Sequence, residues 1–310
     1  MDEATRTFAR HRPRLQGIAY RMLGSVAEAE DVVQDAWLRW NEAAHDVLRS
    51  AEAWLVTVTT RLAIDRLRTA RVQREHYVGT WLPEPLVESS PPTPEQLVER
   101  AGALSLALLT VLERLAPEAR AAFLLREVFE ADYAEIAATL GKSEAACRQL
   151  VHRAKAQVHE ADRPRQQVPE DQRLRLLQAF GEAAQRGDLQ GLKAVLADDV
   201  ALIGDGGGKV PSFGRPLLGG QRVAMVYFAV CRRFPGAVRT QVARVNGEPG
   251  LLRFVNGQLE SVQAFEWAGE RIACIHSQRN PDKLARVAAQ LAADWKKRPR
   301  AVTGRRTDPS

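Results

Sequence analysis

The stretch AEAEDVVQDAWLRW, residues 27–40, combines two different faces on one predicted helix. Apolar side chains at positions 32, 33, 36, 37 and 40 recur with the spacing of a buried helical stripe. A second stripe on the same helix is acidic and partly apolar, and it consists of Asp31, Gln34, Asp35 and Leu38. An acidic face of this kind is suited to docking on a basic partner, although an ordinary solvated surface has the same composition.

The next predicted helix, in residues 54–74, is basic on its outer face. Between positions 61 and 74 it has five arginines and one aspartate, a net charge of +4. Arginines beside small hydroxyl side chains can bind phosphates and let separated nucleic-acid strands lie close to the protein. The outer residues with this chemistry are Thr57, Thr60, Arg61, Arg66 and Arg68.

Residues 132–158 have the pattern of a helix–turn–helix. Gly141 takes the turn, the small Ala137 permits close approach, and Cys147 fills the shared core. The second helix fits a major groove, where Arg suits guanine and Gln suits adenine. A plain helical hairpin with a charged outer face is the alternative. The outward residues are Lys142, Ser143, Glu144, Arg148, Gln149, His152 and Arg153.

The composition fits a globular protein of about two domains, with 310 residues, 45% apolar and 26% charged. No run approaches the roughly 20 apolar residues of a membrane span, and the charged N-terminus is unlike a secretory signal. The net charge of +6 arises in residues 161–310, so the total alone is weak evidence for nucleic-acid binding.

Three isolated cysteines without metal-ligand spacing indicate a reducing cytoplasm, and we expect no metal and no cofactor.

Three blocks together resemble regions 2 and 4 of the bacterial sigma-70 family, above all its extracytoplasmic-function (ECF) group. The blocks are FARHRPRLQGIAYRMLGSVAEAEDVVQDAWLRW (8–40), AWLVTVTTRLAIDRLR (53–68) and LAPEARAAFLLREVFEADYAEIAATLGKSEAACRQLVHRAK (115–155). The resemblance implies that the acidic stripe binds the clamp of core RNA polymerase. It implies that the basic helix engages the −10 promoter element and the helix–turn–helix reads the −35 element. The implied protein is cytoplasmic, has no membrane partner and is a monomer when free.

Beyond residue 170 the pattern changes from helices to α+β. Alternating apolar runs are separated by Asn246-Gly247 and Asn256-Gly257, which is typical of β-hairpins. This part resembles the SnoaL-like cone, in which helices close over the hollow of a curved antiparallel sheet. The predicted fold is therefore two all-α modules followed by an α+β domain.

Three short motifs resemble those of ECF factors with this fused domain: YVGTWLPEP (77–85), DGGGK (205–209) and NPDKL (280–284). The resemblance implies that the cone contacts the Pro-rich linker and regulates the factor in place of a separate anti-sigma protein. Whether it activates or inhibits stays open. The implied regulatory residues are Tyr77, Gly79, Trp81, Pro83, Asp205, Gly206, Gly207, Gly208, Lys209, Asn280, Pro281, Asp282 and Lys283.

The predicted boundaries are region 2 in 1–74, the Pro-rich linker in 75–93, region 4 in 94–160, a second linker in 161–169, the SnoaL-like domain in 170–290 and a basic disordered tail in 291–310. One alternative is a dimeric helix–turn–helix regulator with a ligand-sensing domain. A small ligand in the hollow is compatible both with that regulator and with a sigma factor. Another is an enzyme of the cone class with Asp205, His276 or Tyr227 as a base. No partner for such a base has a convincing spacing, so we expect no enzyme.

Overall fold

A computed structural model describes residues 2–45, 48–88, 104–161 and 168–297. Its first helical module consists of α1 (Glu3–Leu23), α2 (Val26–Glu42) and α3 (Ala51–Glu75). Helix α1 ends at Gly24, which takes the left-handed conformation with φ of 68°. Ser25 then caps α2, because its side chain accepts a hydrogen bond from the backbone N–H of Glu28.

The second helical module consists of α4 (Leu106–Leu112), α5 (Pro117–Glu127), α6 (Tyr133–Leu140) and α7 (Glu144–Ala161). Its helices share a small core around Ile136 and Cys147, but other apolar side chains pack against the first module. Leu109, Phe123 and Ala154 lie in one cluster with Leu15 and Leu67 of the first module. The two modules are therefore packed together, and both are all-α as predicted.

The C-terminal domain begins with α8 (Glu170–Arg186) and α9 (Leu189–Val195) and continues into a sheet. Along the chain, helix α10 (Gly220–Arg233) follows the first two strands of this domain and precedes the last four. The strands are β2 (Leu196–Asp205), β3 (Leu217–Leu218), β4 (Val238–Val245), β5 (Glu248–Val255), β6 (Gln258–Ala268) and β7 (Arg271–Gln278). This confirms the predicted α+β class.

The sheet is open and mixed rather than purely antiparallel. Its strand order is β1-β4-β5-β6-β7-β2-β3, where β1 is Val87–Glu88. The late hairpins are antiparallel, and Asn-Gly turns join the first two of them, as predicted. Strands β2 and β7, however, run parallel. They are far apart in sequence, so no tight turn imposes an antiparallel arrangement on them.

The first strand in that order comes from the predicted linker. Strand β1 (Val87–Glu88) pairs antiparallel with β4, so that Val87 lies opposite Val245. We define residues 77–88 as the linker segment. Its last two residues thus extend the sheet of a domain that begins about 80 positions later.

The two faces of the sheet have different neighbours. One face packs aromatic side chains, including Phe265 and Trp267, against α8 and α10, and we call it the hollow face. On the opposite, outer face, Val262 and Ala264 lie in one cluster with Leu106 of the second helical module. The outer face therefore joins the C-terminal domain to the rest of the chain.

The final helix, α11 (Pro281–Lys297), runs past position 290, so the predicted start of a disordered tail at 291 is wrong. Apolar residues such as Val287 continue the helical pattern and pack on the sheet. The rest of that tail and most of the two predicted linkers lie outside the described residues. None of the described helices has the length and apolar character needed to cross a bilayer.

Candidate nucleic-acid interface and the Asp205 latch

The acidic stripe on α2 is solvent-exposed at all four predicted positions, Asp31, Gln34, Asp35 and Leu38. Leu38 is 54% exposed, a large value for an apolar side chain. Asp31 forms an ion pair with Arg66 of α3 at 3.1 Å. The stripe is therefore accessible to a partner in this conformation.

The predicted −10 residues on α3 face the second helical module. Thr57 Oγ1 lies 3.2 Å from Thr139 Oγ1 of α6. Arg61 donates to the carbonyl oxygens of Thr139 at 2.8 Å and of Ala138 at 3.0 Å. These groups are hydrogen-bonded within the protein, so they cannot bind nucleic acid at the same time.

The prediction that Thr60 faces outward is wrong, because its side chain is completely buried. Helix α3 packs against helices of both modules, α1, α2, α5 and α6. The sequence pattern of α3 gives no sign of this second set of neighbours. The Thr60 hydroxyl has no hydrogen-bond partner among the described residues, and DNA cannot reach it in this conformation.

Two further arginines of the predicted −10 set form ion pairs. Arg66 contacts the acidic face of α2. Arg68 pairs with Glu118 of α5 at 2.9 Å, and Lys142 of the helix–turn–helix pairs with the same carboxylate at 3.0 Å. The hydrogen bond from Lys142, with support from Arg68, lowers the pKa of Glu118 below its usual value. Glu118 thus joins cations from both predicted DNA surfaces.

The helix–turn–helix forms as its motif predicts. Asp132 and Glu135 make a reciprocal capping box at the start of α6, and Gly141 ends it with φ of 65°. Ser143 Oγ accepts from Ala146 N at 3.2 Å and caps α7. Cys147 is buried, and burial raises the pKa of its thiol. The outward residues Lys142, Ser143, Glu144, Arg148, Gln149, His152 and Arg153 are all exposed.

The three short motifs meet at one buried carboxylate, Asp205, at the end of β2. The linker segment, the sheet and α11 all supply donors to its two oxygens, and we call this cluster the Asp205 latch. The donors are Tyr77 Oη (2.6 Å), Gly207 N (3.0 Å), Leu82 N (2.9 Å), Gln278 Nε2 (3.1 Å) and Lys283 Nζ (2.7 Å).

Burial shifts the titration of two members of the latch. Burial, together with the hydrogen bond to Asp205, raises the pKa of Tyr77 well above its usual range. Burial lowers the pKa of Lys283, although the neighbouring Asp205 carboxylate opposes that change. Lys283 also donates to the Leu82 carbonyl oxygen at 2.6 Å. Both side chains are thus tied to the linker segment and to the C-terminal domain.

Trp81 of the linker segment lies between two cations. The Arg74 guanidinium of α3 is 3.7 Å from its ring centre, and the Lys283 ammonium is 4.1 Å away. One cation belongs to the first helical module and the other to α11. The indole therefore bridges α3 and α11.

The remaining motif residues shape this contact. Asn280 caps α11 by accepting from Asp282 N at 3.0 Å, and it donates to Tyr77 Oη at 2.9 Å. Lys209 pairs with Asp282 at 2.5 Å. Gly207 and Gly208 have positive φ, and a Cβ on Gly207 would lie 2.3 Å from Asn280. Of the other predicted residues, Gly206 and Pro83 are buried, whereas Gly79 and Pro281 are exposed.

A second contact on the linker segment was not predicted from the sequence. Tyr20 of α1 donates to the Glu84 carbonyl oxygen at 2.7 Å and accepts from Asn246 Nδ2 at 2.8 Å. Glu84 Oε2 accepts from Val26 N at 2.8 Å. The sequence identifies Asn246 only as a turn residue and Glu84 only as part of the motif in residues 77–85. Nothing local shows that their side chains meet Tyr20, which is over 220 positions from Asn246.

Known proteins match the chain in both halves. The sigma-70 region 2 family profile matches residues 7–72, and the sigma-70 region 4 profile matches residues 105–158. The ECF RNA polymerase sigma factor SigJ of Mycobacterium tuberculosis is 39% identical over 267 residues, which cover 85% of this chain and 84% of that protein. The probable ECF RNA polymerase sigma factor SigI of the same species is 33% identical over 94% of this chain and 98% of its own length.

A solved structure agrees with these matches. The crystal structure of M. tuberculosis SigJ has a TM-score of 0.71 to this chain at 34% identity, and the match covers 91% of this chain and 98% of that one. The similarity thus spans the helical modules and the C-terminal domain. The chain belongs to the extracytoplasmic-function sigma factors, the sigma-70 family proteins that bind RNA polymerase and direct promoter recognition.

Proposed function

We propose that the C-terminal domain restrains this sigma factor by holding its two helical modules in the closed arrangement, in place of a separate anti-sigma protein. The Asp205 latch is the observation that supports this proposal. A carboxylate with five donors from three parts of the chain is a specific contact, and charge-assisted hydrogen bonds of this kind are strong when buried. Release of the latch removes the contacts of Tyr77 and Leu82 with Asp205 and so loosens the linker segment, which connects the modules.

The closed arrangement explains how restraint affects promoter use. Thr57 and Arg61 are hydrogen-bonded to α6, and Arg68 shares Glu118 with Lys142. The −10 surface on α3 and the −35 surface on α7 must separate to reach two distant DNA elements. We therefore infer that the closed chain is the inactive form and that the domain acts as an inhibitor.

Docking on polymerase does not require opening first. The acidic stripe of α2, which we assign to the polymerase clamp, is exposed while the −10 residues are engaged. A monomeric closed chain can thus bind core enzyme before it contacts DNA. Promoter DNA, polymerase or both then shift the equilibrium toward the open form, because they bind that form better.

We also propose that the C-terminal domain is a regulatory module and not an enzyme. Asp205 is saturated with internal donors. Tyr227 is buried and hydrogen-bonded to Gln263, and burial raises the pKa of its phenol to about 12. A phenol whose pKa is raised in this way does not suit a general base, and the Asp205 oxygens are occupied by internal donors.

Promoter-specific transcription with purified core polymerase tests the restraint. We expect Asp205→Asn to raise output by at least about fivefold at limiting sigma factor, because a loss of about 1 kcal/mol of closed-state stability shifts the equilibrium by about that factor. Asp199→Asn is the matched control, since Asp199 lies on the same strand and is exposed. Equal output from the two folded variants would refute the proposal. If Asp205→Asn does not fold, Tyr77→Phe removes a single bond of the latch and serves in its place.

A further inference from the structure

Three side chains with metal-ligand chemistry converge on the outer face of the sheet, at Glu266 of β6 and at Cys274 and His276 of β7. Their ligand atoms all lie within 4.8 Å of one another. His276 Nε2 is hydrogen-bonded to Glu266 Oε1, and Cys274 Sγ lies 3.6 Å from the same nitrogen. Sulfur, nitrogen and oxygen ligands thus face one point.

Strand geometry explains this convergence. Cys274 and His276 are two positions apart on β7, so their side chains leave the strand on the same face. Glu266 lies directly opposite Cys274 in the antiparallel register, next to an irregularity in the pairing. The neighbours Phe265 and Trp267 point to the hollow face. The cluster therefore lies outside the hollow, on the same face of β7 as Gln278 of the Asp205 latch.

Burial distinguishes the cluster from a surface group of acids. His276 is 3% exposed and Cys274 is 6% exposed, and the side chain of Glu266 is 10% exposed. His276 Nδ1 is buried and has no hydrogen-bond partner among the described residues. The imidazole is thus held only through Nε2, the atom that faces the thiol and the carboxylate.

We propose that Glu266, Cys274 and His276 bind a divalent transition-metal ion of the zinc class. With zinc bonds of about 2.3 Å to sulfur and about 2.05 Å to nitrogen at a tetrahedral angle, the two ligand atoms lie about 3.6 Å apart. The observed separation of Cys274 Sγ and His276 Nε2 matches that value. Binding releases the thiol proton of Cys274. The ion replaces the hydrogen bond between His276 and Glu266, and the Nε2 proton of that bond moves to Nδ1 of the neutral imidazole.

The spacing of the cysteines gave no expectation of a metal, because two of the ligands are on one strand and the third is on its neighbour. A mixed set of thiolate, imidazole and carboxylate suits Zn²⁺ better than Mg²⁺ or Ca²⁺, which prefer oxygen ligands. Three protein ligands leave the fourth tetrahedral position for water.

Titration of the full-length, chelator-treated chain with Co²⁺ tests the site. We expect one equivalent to bind with a thiolate-to-cobalt charge-transfer band that Zn²⁺ abolishes by competition. Cys274→Ser should remove the band and weaken Zn²⁺ binding by more than about tenfold, since even loss of an outer-shell partner commonly has that effect. Cys231→Ser is the control, because Cys231 is half-buried and lies outside the cluster.

Three results would overturn the proposal: no stoichiometric binding, cobalt binding without the charge-transfer band, or equal Zn²⁺ affinity in the wild type and Cys274→Ser. Because the cobalt spectrum reports thiolate ligation in the unaltered protein, the test does not depend on a variant. His276→Gln provides a second ligand deletion. Zn²⁺ should raise the Tm of the wild type and of Cys231→Ser, but not the Tm of either ligand variant.

Discussion

Two buried carboxylates tie the linker segment to opposite neighbours. Asp205 binds it to the C-terminal domain through Tyr77 and the Leu82 amide. Glu84 binds it to the first helical module through the backbone amide of Val26, at the start of α2. Each carboxylate accepts hydrogen bonds in a site where an unpaired charge would be unfavourable by several kcal/mol. Single residues thus decide which surfaces the linker joins.

Glu84 should make the stability of the protein pH-dependent. Burial raises its pKa above the usual 4.5, although the Val26 amide, Arg286 and Lys283 oppose the shift. The folded chain therefore binds a proton more tightly than the unfolded chain. The stabilising contribution of protonated Glu84 is complete below pH 4.5 and is lost as the pH rises through the raised pKa.

Glu84→Gln should remove this dependence, because Gln keeps an oxygen for the Val26 amide but cannot ionise. As the pH rises toward neutral, the wild type should lose stability and the variant should not. The difference between their free energies of unfolding should grow by about 1.4 kcal/mol for each unit by which the pKa is raised. Urea unfolding at several pH values measures the difference. Glu42→Gln, at an exposed position, should follow the wild-type profile. Parallel profiles for Glu84→Gln and the wild type would contradict the assignment.

At the scale of the elements, helix ends place the contact surfaces. Gly24 ends α1 and Gly141 ends α6, and both have a left-handed backbone, with φ of 68° and 65°. Only Gly24 is also packed, since a Cβ there would lie 2.6 Å from the Trp81 ring, whereas nothing lies within 4 Å at Gly141. Gly141 therefore only turns the chain between two helices. Gly24 turns the chain and also leaves room for Trp81 of the linker segment.

Alanine substitution separates these two roles. Gly141→Ala should destabilise the protein by about 1–2 kcal/mol, the effect of a side chain on a left-handed backbone. Gly24→Ala should lose that amount and about 1–3 kcal/mol more, because Trp81 must move. Chemical unfolding of both variants measures the difference. If the two variants lose equal stability, the packing of Trp81 against α1 contributes nothing.

At the scale of the whole molecule, the chain forms one closed assembly. The helical modules share an apolar core, and the outer face of the sheet packs against Leu106. Strand β1 belongs to the linker by sequence and to the sheet by hydrogen bonding. An ion pair between Arg286 of α11 and Glu30 joins the last helix to α2. Opening the modules for DNA must break several of these contacts together, which makes the transition switch-like.

A disulfide between α3 and α6 should trap the closed form. Thr57 Oγ1 and Thr139 Oγ1 are 3.2 Å apart, so cysteines at these positions can approach bonding distance with small adjustments. We expect oxidised Thr57→Cys/Thr139→Cys to transcribe at least about tenfold less than the same chain after reduction. The Thr57→Cys single variant, treated with the same oxidant, controls for the substitution and for the native cysteines. Equal output before and after reduction of a fully cross-linked chain would show that the contact does not block promoter use.

The sequence by itself determined the elements and the family. Helix periodicity and the turn at Gly141 are local patterns, and the structure contains both. The exposed stripe on α2 and the outward face of α7 follow from the same patterns. Local signals suffice here because hydrogen bonds and side-chain contacts within a helix join residues three or four positions apart.

Only the tertiary structure decided which surfaces meet. Tyr77 and Asp205 are 128 positions apart, and nothing in either motif specifies the atoms that bond. The burial of Thr60, the parallel pairing of β2 with β7, and the cluster of Glu266, Cys274 and His276 are also long-range results. Such contacts depend on the register of strands and on the docking of whole modules. Strand register and module docking cannot be predicted from a local sequence pattern, because both depend on side chains from distant segments that are buried together.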